Sequence, residues 1–388
     1  MEGKYAGKKV FMVVNYSPTD RSIGVTKKIS GVINALRRKS MEVYYTAYGN
    51  TGIEIYNNND EKIMEYSYST NLSSLQKVFR RFDLLKAARQ YVAKREEAID
   101  LLFIRWLGFD IPYLRLLKTV KRKKNAFVMV DMHSYFDGIK FSSIKGRYMV
   151  SSTKLFSSYA VRYIDTMLTE GNVEQLFGKR TIHAAIGIET DYLREHHYSG
   201  RKDEINMISV ANELPYHGYD RLLRSMAEYY SNGSKEKLRI NLHLVGVLSE
   251  ETKRYIEESQ LAPYVMQYGK LAGEQLFDIY DKANMAVGPL GQHRVGGKKG
   301  TGLKTKEYIG IGIPYFYSGE DVSIPENFPY ALRVPSDERM IDFDEIIAFY
   351  QSYCCVPDVS DNMRNYARKN FSWDVITDSF LLPFGERI

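Results

Sequence analysis

The sequence predicts an α/β protein built from two tandem, doubly wound, Rossmann-like domains facing an interdomain cleft. Three observations predict it. Short apolar, β-branched runs alternate with amphipathic helical stretches through most of the chain, the pattern of right-handed βαβ crossovers around covered parallel sheets. The alternation breaks once, at the polar, glycine-containing stretch 196–204, and then restarts. The length, 388 residues, suits two domains, and 44% hydrophobic with 26% charged residues is ordinary globular material able to bury large cores.

In the first half, strands are expected at 9–15, 41–46, 99–105, 126–131, 164–168 and 181–186, each a run of mainly large apolar residues. Helical periodicity covers 23–39, 72–95, 113–123 and 154–163 between them. Residues 53–68 read as an added hairpin turning at Asn57-Asn58-Asn59-Asp60. After the break, strands are expected at 205–211, 240–247, 264–268, 285–287, 313–317 and 330–334, with helices at 219–230, 250–259, 274–281 and 303–311. The tail, 361–380, is helical, and Trp373 is the apolar anchor expected to dock it onto a neighbouring domain. These elements divide the chain into domains at 1–198 and 199–360, with 361–388 packing back onto the first.

Charge is distributed unevenly. Residues 1–200 hold 32 Lys and Arg against 20 Asp and Glu, a net of +12, whereas the rest hold 22 against 27. The excess fits either a soluble basic surface or a negatively charged partner, a nucleic acid or an anionic membrane. No apolar run approaches the roughly 18 residues a spanning helix needs, and the run 10–14 is too short for a signal-peptide core. The only cysteines, Cys354 and Cys355, are adjacent and build no disulfide framework, so a reducing cytoplasm is expected.

In open α/β sheets ligands bind beyond the carboxyl ends of the strands, so the segments just after strands are the ones to search. After the first strand comes Ser17-Pro18-Thr19-Asp20-Arg21-Ser22-Ile23-Gly24; Gly24 opens a helix and reads either as a ligand loop or as a plain turn glycine. After 127–131 lies Met132-His133-Ser134-Tyr135-Phe136-Asp137-Gly138, where His133 suits sugar hydroxyls or simply orders its own loop. Asn212 and His217 follow the first strand of the second domain, and His217 beside a helix start suits a phosphate or orders its own loop. The densest region runs from Gly288 to Tyr308, with six glycines and five Lys or Arg between a buried strand and a helix. Glycine-rich backbone with Lys and Arg at a helix N-terminus is what a diphosphate requires: close amide approach, a favourable dipole and countercharge. The competing reading is a basic surface loop. Glu307, one turn into that helix, cannot help phosphates and suits a hydroxyl donor such as ribose. No zinc-ligand spacing, Walker loop, Gly-x-Ser-x-Gly elbow or Asp-x-Asp pair is present, so metal-independent chemistry without a cofactor is expected.

With these residues in hand, the chain resembles retaining glycosyltransferases of the two-Rossmann (GT-B) architecture, family 4, and within it a bacterial branch of capsule and surface polysaccharide synthesis. The resemblance rests on Tyr216-His217-Gly218-Tyr219-Asp220-Arg221, on Gly288-x-Leu-Gly-x-His-Arg294 and on Leu303-Lys304-x-x-Glu307-Tyr308-x-x-x-Gly312-Ile313-Pro314. Ile104-Arg105, the 131–137 loop and Ile186-Gly187-Ile188-Glu189 fall in register. It implies a UDP- or GDP-linked sugar bound mainly by the second domain and a lipid-linked or glycan acceptor bound by the first. Carried over, Glu307 bonds the donor ribose and Lys304 and Arg294 neutralise the diphosphate. Gly24 lies near the leaving group and acceptor, and His133 on the acceptor side. Asn212, His217, Gly302 and Leu303 complete the donor site. Asn212 and His217 replace the arginine and lysine usual there, and Lys299 stands where many relatives have a glutamate. The basic first half is expected to hold the protein against the inner face of an anionic membrane. A GT-B sugar-nucleotide epimerase shares the architecture. A noncatalytic nucleotide-sugar or nucleic-acid binder would leave 302–314 unexplained, and no basic helix interleaved with aromatics suggests a nucleic-acid partner.

Overall fold

The computed structural model describes residues 3–16, 24–69, 73–132, 144–169, 173–196, 203–231, 238–295, 299–300 and 302–388. The chain divides into two units, Met1–Ala185 with Trp373–Ile388, and Ile186–Ser372.

The first unit contains β1 (Lys9–Tyr16), α1 (Gly24–Arg38), β2 (Glu42–Tyr48), β3 (Gly52–Tyr56), β4 (Lys62–Ser67), α2 (Ser73–Lys94), β5 (Leu101–Arg105), α3 (Ile111–Lys124), β6 (Phe127–Asp131), α4 (Ile144–Ala160), β7 (Thr166–Thr169), β8 (Gln175–Leu176) and β9 (Lys179–His183). Its sheet runs β4-β3-β2-β1-β5-β6-β7-β9-β8. The six strands from β2 to β9 are parallel. The hairpin β3–β4 extends one edge antiparallel, as its Asn-rich turn suggests, and β8 closes the other. Strand side chains alternate between faces. Phe11 and Val13 of β1 join one core with α2, α3 and α4, whereas Val10, Met12 and Val14 join a second with α1. Burial on both faces is why these strands read as continuous apolar runs.

Local chemistry sets the helix ends. Asp110 caps α3 by accepting from the Tyr113 amide at 3.1 Å, Pro112 occupies its first turn, and Asn125 ends it in the left-handed region. α4 starts ten residues before the expected 154–163 segment. Its Ser151-Ser152-Thr153 run reads as a break, but the Thr153 hydroxyl donates back to the Met149 carbonyl while accepting from Trp106 Nε1 and the Phe109 amide.

The second unit contains β10 (Glu204–Val210), α5 (Tyr219–Ser231), β11 (Arg239–Val245), α6 (Glu250–Glu258), β12 (Val265–Gln267), α7 (Glu274–Tyr280), β13 (Met285–Val287), β14 (Lys299–Gly300), α8 (Leu303–Ile311), β15 (Tyr315–Ser318), β16 (Glu320–Asp321), β17 (Ala331–Val334), α9 (Phe343–Tyr353) and α10 (Val359–Phe371). The sheet order is β12-β11-β10-β13-β15-β17, all parallel. β10 therefore has β11 on one side and β13 on the other, and the order reverses there, the place where open α/β sheets bind ligands. α9, unexpected from the sequence, buries Phe343, Ile346, Tyr350 and Tyr353 at helical spacing.

The single helical tail expected is two helices in the structure. α10 packs on α8, the chain extends at Ser372, and α11 (Trp373–Arg387) packs on α1 in the first unit. Gly31 admits the anchor: a Cβ there would lie 1.8 Å from Trp373 Nε1. Among the described residues no helix is long and apolar enough to cross a membrane.

Candidate functional site

In the second unit, the loops after β10 and β13 lie side by side at the point where the strand order reverses. The Leu290 amide donates to the His217 carbonyl at 3.1 Å and the Gly291 amide to the Tyr216 carbonyl at 3.0 Å. Glycine makes this approach possible. Gly218 has φ +68, and a Cβ there would sit 2.9 Å from the Leu290 carbonyl carbon; one on Gly291 would sit 2.6 Å from the Pro215 oxygen. Arg221, fully buried in α5, bonds the Leu290 carbonyl at 3.0 Å and the Arg339 carbonyl at 2.7 Å, fixing the helix beneath both loops. Asn212 accepts from the Val247 amide at 3.0 Å and so joins the loops after β10 and β11. A groove of about 950 Å³ opens here, lined among others by Asn212, Asp220, Thr252, Lys270 and Arg294.

α8 supplies the helix N-terminus. Gly302 precedes it and makes no side-chain cap, and N–H groups at such a helix start suit an anionic ligand. The Gly302 amide itself donates to Asp321 at 3.2 Å. Asp321 also accepts from the Thr305 hydroxyl at 2.8 Å and pairs with Lys306, whose side chain is completely buried. Burial alone would raise the Asp321 pKa, but the Lys306 charge and hydrogen bonds from Lys306, Ser323 and Thr305 hold it below the usual carboxylate value. That pair is neutral as a whole. The backbone of Lys299–Gly300 pairs with Glu320–Asp321, which ties the end of the basic loop to the same carboxylate-bearing segment.

Lys304 donates to Glu307 at 3.3 Å and keeps 30% of its side chain exposed. Its charge reaches His217. Burial pushes the His217 pKa down, a hydrogen bond with the Asn212 backbone opposes this, and Lys304 lowers it further, so the ring is neutral near neutral pH. Among the described residues, His217 Nδ1 is buried without a hydrogen-bond partner. A neutral imidazole with a bare nitrogen, a primary ammonium and a carboxylate thus meet beside uncapped amides, a set matched to a hydroxylated, anionic ligand.

Arg294 stands differently from expectation. It makes two bonds to Asp220 at 2.7 and 2.9 Å and two to Glu338 at 2.7 and 2.6 Å, and bonds the Pro215 carbonyl at 3.2 Å. Two carboxylates already match its charge. Asp220 and Arg221 carried the resemblance in sequence without a role, and Glu338 and Asp321 are the residues sequence reasoning missed, since their partners lie far along the chain. The structure brings His217, Gly302, Leu303, Lys304 and Glu307 together, with Asn212 at the neighbouring loop. Gly24 opens α1 in the first unit. His133 lies outside the described residues, as does the side chain of Lys299. Among the described residues no group of three or more His, Cys, Asp or Glu gathers as metal ligands would.

No family model matches the chain, and no curated protein does. Solved structures do. A glycosyltransferase from Rickettsia africae ESF-5 is similar over 98% of both chains, with 13% identity and a TM-score of 0.66. Sucrose-phosphate synthase from Thermosynechococcus elongatus is similar over 98% of this chain and 99% of its own, with 16% identity and a TM-score of 0.61. The Anabaena protein HepE in complex with UDP is similar over 98% and 100%, with 11% identity and a TM-score of 0.56. At such identities the likeness is one of fold, and in fold this chain is a mixed α/β protein of two parallel-sheet units matching GT-B glycosyltransferases.

Proposed function

We propose that this protein is a retaining glycosyltransferase that moves a hexose-type sugar from a UDP- or GDP-linked donor to an acceptor hydroxyl in bacterial surface polysaccharide synthesis. The observation that carries the reading is the convergence of the uncapped α8 N-terminus, Lys304, Glu307 and neutral His217 at the β10/β13 strand ends. One of the similar structures holds UDP, which fits a nucleoside diphosphate there.

In this reading the diphosphate lies on the first-turn amides of α8, with Lys304 as its countercharge. As the sugar–phosphate bond breaks, negative charge grows on the departing nucleoside diphosphate. Donors already oriented toward that charge stabilise the transition state more than the ground state. Glu307 accepts from ribose hydroxyls, and its pull on Lys304 sets where the ammonium sits. The bare nitrogen of His217 accepts from a sugar or ribose hydroxyl. Arg294 acts at one remove, holding Pro215 and Asp220 so that the β10 loop keeps its shape. Gly24 and His133 belong to the acceptor side in the first unit, and Lys299 to the sugar end of the donor. The acceptor hydroxyl attacks from the face the leaving group vacates and gives its proton to the departing diphosphate oxygen, so no protein nucleophile is needed and the anomeric configuration is retained.

The test incubates the protein with UDP- and GDP-sugars, with and without a lipid-diphosphate glycan, and measures free nucleoside diphosphate. Acceptor-dependent release is expected, and Lys304→Ala should lower it on the order of 100-fold while leaving the melting temperature in place. Isomerised donor without acceptor would make the protein an epimerase, and binding without turnover would make it a noncatalytic binder; either result overturns the proposal.

A further inference from the structure

The positive charge of the first half is concentrated on one layer of the first unit. α2, α3 and α4 cover the sheet face whose core contains Phe11, Val13, Leu102 and Ile104. Together their sequences contain fifteen Lys and Arg and a single acid, Asp83. Asp83 is buried and accepts from the Ser69 hydroxyl. The middle helix, α3, leaves Arg115, Lys118, Arg122 and Lys123 exposed and has no acid to offset them.

The same layer carries an apolar stripe. At about 100° per residue, Tyr148, Leu155 and Tyr159 of α4 fall within about 40° of one another. They are 46%, 69% and 54% exposed. Lys145 lies to one side of this stripe and Arg147 and Lys154 to the other, and α4 contains no acid. The stripe continues past the helix start. The Phe82 ring lies 6.3 Å from Tyr148 and 6.2 Å from Phe79, which is 42% exposed. Ile111, 51% exposed, follows Asp110, which accepts from the Tyr148 hydroxyl at 3.2 Å.

Single exposed apolar residues are ordinary, but a contiguous stripe bordered by cations marks a contact surface. The chemistry selects its partner. Apolar side chains gain by entering the boundary between headgroups and acyl chains, while the flanking cations reach lipid phosphates. A nucleic acid would use the cations and stack on the tyrosines, yet gives Leu155 and Ile111 nothing to bury against.

We propose that the α2–α3–α4 layer docks on an anionic bilayer, with the Tyr148–Leu155–Tyr159 stripe in the headgroup region. This docking is independent of the donor-site reading, which concerns the second unit. Sedimentation with vesicles of phosphatidylglycerol and phosphatidylcholine in equal parts, against pure phosphatidylcholine, tests it. The protein should pellet with the mixed vesicles only. Arg147→Glu with Lys154→Glu should weaken binding by about thirtyfold or more, since each cation near such a surface contributes about 1 kcal/mol. Leu155→Ser with Tyr159→Ser should weaken it without altering its salt dependence. These side chains are exposed, so each variant should melt as the parent does, and UDP binding followed in parallel reports on the donor reading separately. Absence of vesicle binding, equal binding to neutral vesicles, undiminished binding by both variants, or binding to an RNA hairpin in place of vesicles each overturns the proposal.

Discussion

Arg294, on the segment between β13 and α8, and Lys304, in the first turn of α8, are both cations, and their partners distinguish them. Glu338 and Asp220 raise the Arg294 pKa beyond its ordinary value, and the Arg294 and His293 hydrogen bonds bring Glu338 down to about 2. A phosphate approaching Arg294 would compete with two carboxylates; at Lys304 it meets one, at 3.3 Å. The sequence shows the type and order of both residues but not that Asp220 and Glu338, 74 and 44 positions away, claim the first. Histidine follows the same logic of surroundings. His243, 5% exposed on β11, lies 2.8 Å from the Tyr268 hydroxyl. Burial, helped by the Lys282 charge and opposed by Glu204, pushes its pKa down to about 4. An unfolded histidine titrates near about 6.5. Between these values the unfolded chain binds a proton that the folded one refuses, so stability falls as the pH drops from about 6.5 to about 4, by up to about 3 kcal/mol. Above that window the residue has no such effect. Urea unfolding of His243→Asn across the window should show a shallower acid-side loss than the parent, and an identical slope would reject this assignment.

At the scale of elements, α8 is where the site is built, and its bounds are legible because Gly302 and Gly312 bracket it. Gly312 ends the helix at φ +94, a left-handed position suited to glycine. What holds the helix is not legible. Lys306 is fully buried against Asp321, fifteen residues on and beyond β15, with the Phe371 ring 5.6 Å away. Removing one member of a buried pair strands the other charge. Lys306→Met should therefore cost about 3–5 kcal/mol, and adding Asp321→Asn should recover much of it. A double variant no more stable than Lys306→Met alone, by chemical denaturation, would show the pair is not what matters. The parallel strands were readable for a physical reason: burial on both faces leaves uninterrupted apolar runs. The two-residue strands β8, β14 and β16 are too short to show any period. The start of α4 was hidden because Thr153 looks like a breaker until Trp106 and Phe109 bond to it.

At the scale of the whole molecule, the sequence break at 196–204 announces two sheets, but the path of the tail depends on which surface receives it. Trp373 is recognisable as an anchor; its socket, a glycine on α1 more than three hundred residues earlier, is not. α11 buries Trp373, Ile376, Phe380, Leu381 and Phe384 in the core that also holds Val10, Met12 and Leu36. Its polar edge adds Arg38 with Asp374 at 2.9 Å and Lys39 with Asp378 at 2.7 Å. Five such side chains at about 1.5–3 kcal/mol each amount to roughly 10 kcal/mol, comparable with the entire stability of a typical domain at about 5–15 kcal/mol. The first unit should therefore be unable to fold without a segment that follows the second in the chain. Ending the chain at Ser372 should abolish the unfolding transition of the first unit while the second, which contains no part of α11, still unfolds cooperatively. Gly31→Val is the finer probe, because it drives a side chain into the Trp373 indole without removing anything. Hydrogen exchange should then show β1 and α1 losing protection while β10 and α5 keep theirs, and equal protection in both units of the variant would mean that α11 is a dispensable appendage.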